Sequence, residues 1–127
     1  MDYSITYSDS NKLHVVKTGG SMTGHDFIAM AEELLHHPGW TQNNNVLFDH
    51  RDLIFQNASI KDLETIRSFH KENEIKIGTG KSAILVKSGM AHEWHNLWTQ
   101  GNKIRSGNNV QVFESFDKAV DWIRESI

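Results

Sequence analysis

The chain has 127 residues, a formal net charge of −3 and no cysteine. That length is ordinary for one domain, here residues 1–127, and 38% hydrophobic with 23% charged residues is the composition of a globular protein. No Lys/Arg-rich stripe suits nucleic acid, the missing cysteines exclude disulfides, thiolate nucleophiles and Cys-based zinc sites, and no apolar run approaches the roughly 20 residues of a membrane span.

Met1-Asp2-Tyr3-Ser4-Ile5-Thr6 has neither the basic region nor the apolar core of a signal peptide. A cytoplasmic protein is the expectation. Tyr3-Ser4-Ile5-Thr6-Tyr7 alternates in side-chain character as a half-exposed strand does. After a polar turn, Leu13-His14-Val15-Val16-Lys17 reads as its hairpin partner, ended by Gly19-Gly20. Thr23 caps a helix with Asp26 as its acidic capping-box partner. Phe27, Met30, Ala31, Leu34 and Leu35 form the apolar stripe of that helix, and Pro38-Gly39 stops it near His36-His37.

Val46-Leu47-Phe48 is a continuous apolar run, as in a strand covered on both faces. Ser59 caps a second helix with Asp62 at its third position, and Leu63, Ile66, His70, Asn73 and Ile77 share its inner side. Ala83-Ile84-Leu85-Val86 is another buried strand. Met90, Trp94, Leu97 and Trp98 line a third helix closed by Gly101. Val110-Gln111-Val112-Phe113 is the last strand, and Ser115 caps a last helix whose inner stripe is Phe116, Ala119, Val120 and Ile123. The predicted order is β-β-α-β-α-β-α-β-α. It implies an α/β fold with a mixed, largely parallel five-stranded sheet and four helices.

This order resembles that of the STAS domain, the SpoIIAA-like fold of bacterial anti-sigma-factor antagonists, and shares much with the SEC14 (CRAL-TRIO) lipid-binding fold. The local likeness is best from Val46 to Leu63. There an apolar strand, Asp49 and the segment Leu53-Ile54-Phe55-Gln56 lead to Asn57-Ala58-Ser59-Ile60, where STAS domains have Asp-Ser-Ser-Gly before the helix. Met30-Ala31-x-Glu33-Leu34-Leu35, His37-Pro38-x-Trp40 and Phe69-His70 resemble a bacterial group of small STAS/SEC14-type proteins of unassigned function. The family's phosphoacceptor is the first Ser of its motif, and here that position is Ala58, so the resemblance does not carry the phospho-switch over. Ser59 reads as a helix cap, although a helix N-terminus would tolerate a phosphate there.

Three other patterns resolve into structural readings. Gly78-Thr79-Gly80-Lys81-Ser82 looks like the tail of a P-loop, but Ile75 replaces its first glycine and the segment joins a helix to a strand, the reverse of a P-loop. His92-Glu93-Trp94-His95 spaces its histidines three apart, where a zincin needs four. Asp49-His50-Arg51-Asp52 reads as a charged turn held by an Asp–Arg pair, with no nucleophile elbow to make Ser59 a hydrolase. His70 reads as a histidine satisfied by hydrogen bonds, or else as the polar anchor of an apolar pocket. Trp98 and Trp122 flank their stripes and could rim a groove or a homodimer contact.

The expected function is therefore a non-catalytic binding or regulatory module without a cofactor or metal. Its partner is a regulatory protein, by similarity to sigma-factor antagonists, or a small apolar ligand, by similarity to SEC14. The candidate binding residues are Asp49, Asn57, Ser59, His70, Asn73 and Trp98. The ligand reading requires an enclosed cavity of several hundred Å³, roughly the size of ordinary ligand pockets.

Overall fold

The computed structural model describes residues 1–10, 12–54, 58–93 and 109–125. The order is β1 (Asp2–Ser8), β2 (Leu13–Ser21), α1 (Gly24–Leu35), β3 (Asn45–Ile54), α2 (Ile60–Glu72), α3 (Glu74–Ile77), β4 (Ser82–Leu85), β5 (Val110–Phe113) and α4 (Phe116–Arg124). Residues 91–93 are also helical. The five strands form one sheet in the order β1-β2-β3-β4-β5. β1 and β2 make the expected antiparallel hairpin, and β2, β3, β4 and β5 run parallel.

Side chains alternate across each strand, which divides the core in two. On one face Val16, Val46, Ile84, Val86 and Val110 meet Phe27, Met30 and Leu34 of α1 and Ile66 of α2. On the other, Leu47, Ala83 and Leu85 meet Ala119 and Ile123 of α4, with Val15, Phe113 and Trp122 packed alongside.

Several boundaries differ from the sequence expectation. Gly19-Gly20 does not end β2. The register shifts between Lys17 and Gly19, after which Gly19, Gly20 and Ser21 pair with Asp52, Leu53 and Ile54. A bulge of this kind lets a strand absorb an extra residue and continue, so Asp49-His50-Arg51-Asp52 lies inside β3 rather than in a turn. The second helix does not run on to Ile77. Asn73 is its C-cap, with φ −112° and ψ 17°, and Asn73 Nδ2 donates to the Phe69 carbonyl at 2.9 Å. A side chain that takes a backbone carbonyl in this way competes with helix continuation, and α3 restarts as one turn.

Phe116, the first residue of α4, stays 47% exposed instead of joining the inner stripe. The contact face runs through Ala119 and Ile123, one turn apart, and Phe116 lies on its margin. Trp122 is half-buried. It packs on Phe113 with ring centroids 5.6 Å apart and lies under Lys81 Nζ at 4.7 Å. Of the expected third helix, Met90 is half-buried and packs against the α1/α2-side core, whereas Trp94, Leu97, Trp98 and Gly101 lie outside the described residues.

Candidate functional site

The β3–α2 junction is held by side chains bonding to nearby backbone. Ser59 Oγ accepts from the Asp62 N–H at 3.0 Å, and Asp62 Oδ2 accepts from the Ser59 N–H at 3.0 Å, a complete capping box. Asp62 Oδ1 also accepts from the Gly24 N–H at 3.0 Å, tying the starts of α1 and α2 together. A Cβ at Gly24 would sit 3.1–3.3 Å from Asp62, tighter than ordinary contact, so a larger residue there would make Asp62 give by a few tenths of an ångström. The backbone bonds from Ser59 and Gly24 hold the Asp62 carboxyl below the usual carboxylate range. Ala58 is half-buried and packs against the α1/α2-side core, whereas Ile60 is 76% exposed and Ile54 47%. Asn57 lies outside the described residues.

Asp49 projects from β3 toward the α4 side, two residues before Arg51 on the same strand face. Arg51 Nε donates to Oδ1 at 2.9 Å and its guanidinium to Oδ2 at 2.8 Å, as the expected Asp–Arg pair requires. Burial raises the Asp49 carboxyl, but the bonds and charge of Arg51, aided by Lys17, outweigh it and leave the group below the ordinary range. His70 points to the other face of the sheet, so the structure does not bring Asp49 and His70 together. His70 Nδ1 donates to the Ile66 carbonyl at 2.9 Å, as a histidine satisfied within its own helix does, and Asn73 is occupied as a cap.

His70 nevertheless borders two voids beneath α1 and α2. One, of about 40 Å³, is lined chiefly by Phe27, Met30, Leu34, Trp40, Phe48 and Phe69, with Ser82 at its edge. The second, of about 20 Å³, lies between Phe27, Phe48, His50, His70, Ser82 and Ile84. A water needs roughly 10–15 Å³ on this measure, so these spaces take one to a few waters. The larger depression between α1 and α2, about 500 Å³, is open and ringed by Glu32, Lys61, Glu64 and Glu72. Ile28 and Phe69 also line it, but it is open to solvent rather than enclosed.

The sequence reading missed the buried histidines of this face. His50 stacks on Phe48 at 5.5 Å and bonds Thr18 Oγ1 through Nδ1 at 2.6 Å. Burial pushes it down to about 3, against the small opposing pull of Asp49. His14 is wholly buried, 4.3 Å from the Tyr7 ring and 5.5 Å from Trp40. His37 Nδ1 accepts from the Gly39 N–H, so His14 Nε2 is the donor in the 3.2 Å contact with the same His37 nitrogen. His14 is then the neutral Nε2–H tautomer, and its Nδ1, without a partner among the described residues, is a bare acceptor. Burial and then the charge of His37 lower it to about 4. The signal was strand alternation: His14 precedes Val16, and His50 follows Phe48, on faces already expected to be buried.

The P-loop look-alike is a structural turn. Gly78 has φ +76°, and a Cβ on Gly80 would strike the carbonyls of Asn43 and Asn44. Asn43 Oδ1 accepts from the Thr79 N–H at 2.7 Å, and Lys81 Nζ donates to the Trp122 carbonyl at 2.6 Å. His92 and Glu93 are exposed, and His95 lies outside the described residues. Among the described residues no group of three or more His, Asp or Glu could hold a metal, and no helix is long and apolar enough to cross a membrane.

No protein-family model matches the chain, and no curated protein does. A solved structure does match: an uncharacterised protein of the DUF3478 family with a SpoIIAA-like fold, from Shewanella loihica PV-4. The two share 16% identity over 96% of this chain and 92% of that one, with a TM-score of 0.61. The fold is SpoIIAA-like. The likeness covers the mixed, largely parallel sheet and its helices, as expected from the order of elements.

Proposed function

We propose that the chain is a non-catalytic protein-interaction module whose contact surface is the β3–α2 junction. The observation that carries this reading is the pair of exposed isoleucines there, Ile54 at the end of β3 and Ile60 within the Ser59–Asp62 capping box. Apolar side chains held in solvent on a fixed helix start are what a partner surface buries. The partner is a regulatory protein, by resemblance to sigma-factor antagonists, and the contact works without their phosphoserine. Ala58 has no hydroxyl, and the Ser59 hydroxyl is committed to the helix start. The absence of an enzymatic role is part of this reading: Asp49, Ser59 and Asn73 are each engaged in holding local structure.

The test is affinity capture by the wild-type chain and by Ile60→Asp, followed by titration of the captured protein against both. A stoichiometric partner bound at least tenfold more weakly by the variant supports the junction. A partner bound equally by both removes it.

A second reading is favoured by one observation, the convergence of His50, His70 and Ser82 on apolar voids under α1 and α2. It makes the chain a binder of a small apolar ligand anchored by those polar groups. The voids, about 40 and 20 Å³, are an order of magnitude smaller than the several hundred Å³ of ordinary ligand pockets. The interaction reading therefore stands first.

A further inference from the structure

Among the described residues β1 is an edge strand, pairing only with β2. Its seven residues keep an unbroken register from Asp2 to Ser8. Edge strands are ordinarily guarded by lysine, proline or a bulge. Asp2-Tyr3-Ser4-Ile5-Thr6-Tyr7-Ser8 contains no lysine, arginine or proline, and its ladder to β2 shows no bulge.

The sequence of this edge is nearly symmetric about Ile5. Tyr3-Ser4-Ile5-Thr6-Tyr7 reads tyrosine, hydroxyl, isoleucine, hydroxyl, tyrosine in both directions. Laid antiparallel on a second copy with Ile5 opposite Ile5, every Tyr3 faces a Tyr7, every Ser4 a Thr6, and Asp2 faces Ser8. Aromatic pairs and Ser/Thr pairs are among the cross-strand neighbours that stabilise antiparallel sheets, and this register opposes no like charges. A slip of one residue would place the two tyrosines of one copy on the face opposite those of the other. Tyr3 is 36% exposed and Ser4 and Thr6 are exposed, while Ile5, Tyr7 and Ser8 are half-buried along the same edge.

We propose that a second copy of this chain docks on β1, joining two sheets into one ten-stranded sheet about a two-fold axis at Ile5. Such an isologous contact is closed and self-limiting. It uses a surface distinct from the β3–α2 junction, so it stands or falls separately from the function proposed above.

The experiment is sedimentation velocity of the untagged chain across a concentration series, with the wild type, a Ser4→Lys/Thr6→Lys variant and a Ser4→Glu/Thr6→Glu variant. The wild type is expected to dimerise. Each variant alone places like charges opposite each other and is expected to dissociate at about tenfold or more higher concentration, which is about 1.4 kcal/mol. Mixing the two variants is expected to restore a heterodimer. Because the chain lacks cysteine, the register is read separately. A mixture of Ser4→Cys and Thr6→Cys chains should cross-link on mild oxidation more readily than either alone, circular dichroism confirming that both are folded. A wild type that stays monomeric throughout, or cross-linking no better in the mixture than in the single variants, overturns the proposal.

Discussion

On the α4 side of the sheet, Leu47, Ala83, Leu85, Ala119 and Ile123 close on one another, and the buried Asp49 is matched by the two-pronged Arg51. On the α1/α2 side the core is larger, but it also buries His14, Thr18, His50 and Ser82 and leaves the two small voids. A charge held by an ion pair keeps its charge, whereas a histidine buried among aromatic rings keeps its neutrality. The first face closes on apolar contacts and one matched charge. The second accepts polar groups whose burial makes it sensitive to its surroundings.

The largest expected break between the faces is in pH. His14 and His50 have folded-state values of about 4 and about 3, both below the ordinary histidine value of 6.5. Above pH 6.5 both are neutral, folded or unfolded. As the pH falls below 6.5 the unfolded chain takes up protons that the native chain refuses, so stability falls. The loss from each histidine levels off at its folded value. Each should cost about 1.4 kcal/mol per pH unit inside its window. Urea unfolding between pH 7 and pH 4 should show this slope, and His14→Phe should remove roughly one proton's share of it. The Asp49–Arg51 pair on the other face weakens only at lower pH, below the ordinary aspartate range, because its folded carboxyl is depressed.

Packing substitutions sharpen the same contrast. Ala119→Leu on the closed α4 side should cost about 1–3 kcal/mol by overpacking. Val46→Ile, beside the 40 Å³ void, should be neutral or gain about 0.5 kcal/mol by filling space. Equal losses in chemical denaturation would mean that the two faces are packed alike. Ser59→Ala should cost about 1 kcal/mol through the lost cap, with Ser59→Asp recovering most of it. Lys81→Met should cost about 0.5–1 kcal/mol, because it loses the contact over Trp122 and the bond to the Trp122 carbonyl but keeps an apolar stem.

Much of the fold was legible because its signals are local. The helix caps at Thr23, Ser59 and Ser115, the stop at His36 and the apolar strands at Val46 and Ala83 follow from spacing and side-chain chemistry. The Asp49–Arg51 pair was legible for the same reason, being two residues apart. What escaped depends on the neighbouring strand or helix. The bulge after Lys17 carries β2 past two glycines and draws the charged stretch of β3 into the sheet, and no pattern within either strand shows that. His14 is buried because Tyr7 arrives from β1 and His37 and Trp40 from the segment after α1. The candidate site was legible in its Ser59 cap but not in the Asn73 cap that ends α2, nor in its depth. Ser59 and Asn73 are explained by local bonds, whereas the convergence of His50, His70 and Ser82 needs three elements in place.

On the proposed reading, the α1/α2 side is a packed core behind a protein-binding junction rather than a container. Native mass spectrometry of the purified, untagged chain, with organic extraction in parallel, tests this most directly. The expected result is a 14.5 kDa chain or its multiples free of bound small molecules, with nothing apolar recovered at stoichiometric yield. A one-to-one adduct of a few hundred daltons that extracts as a lipid, and that is lost in His70→Leu while the fold persists, would contradict it.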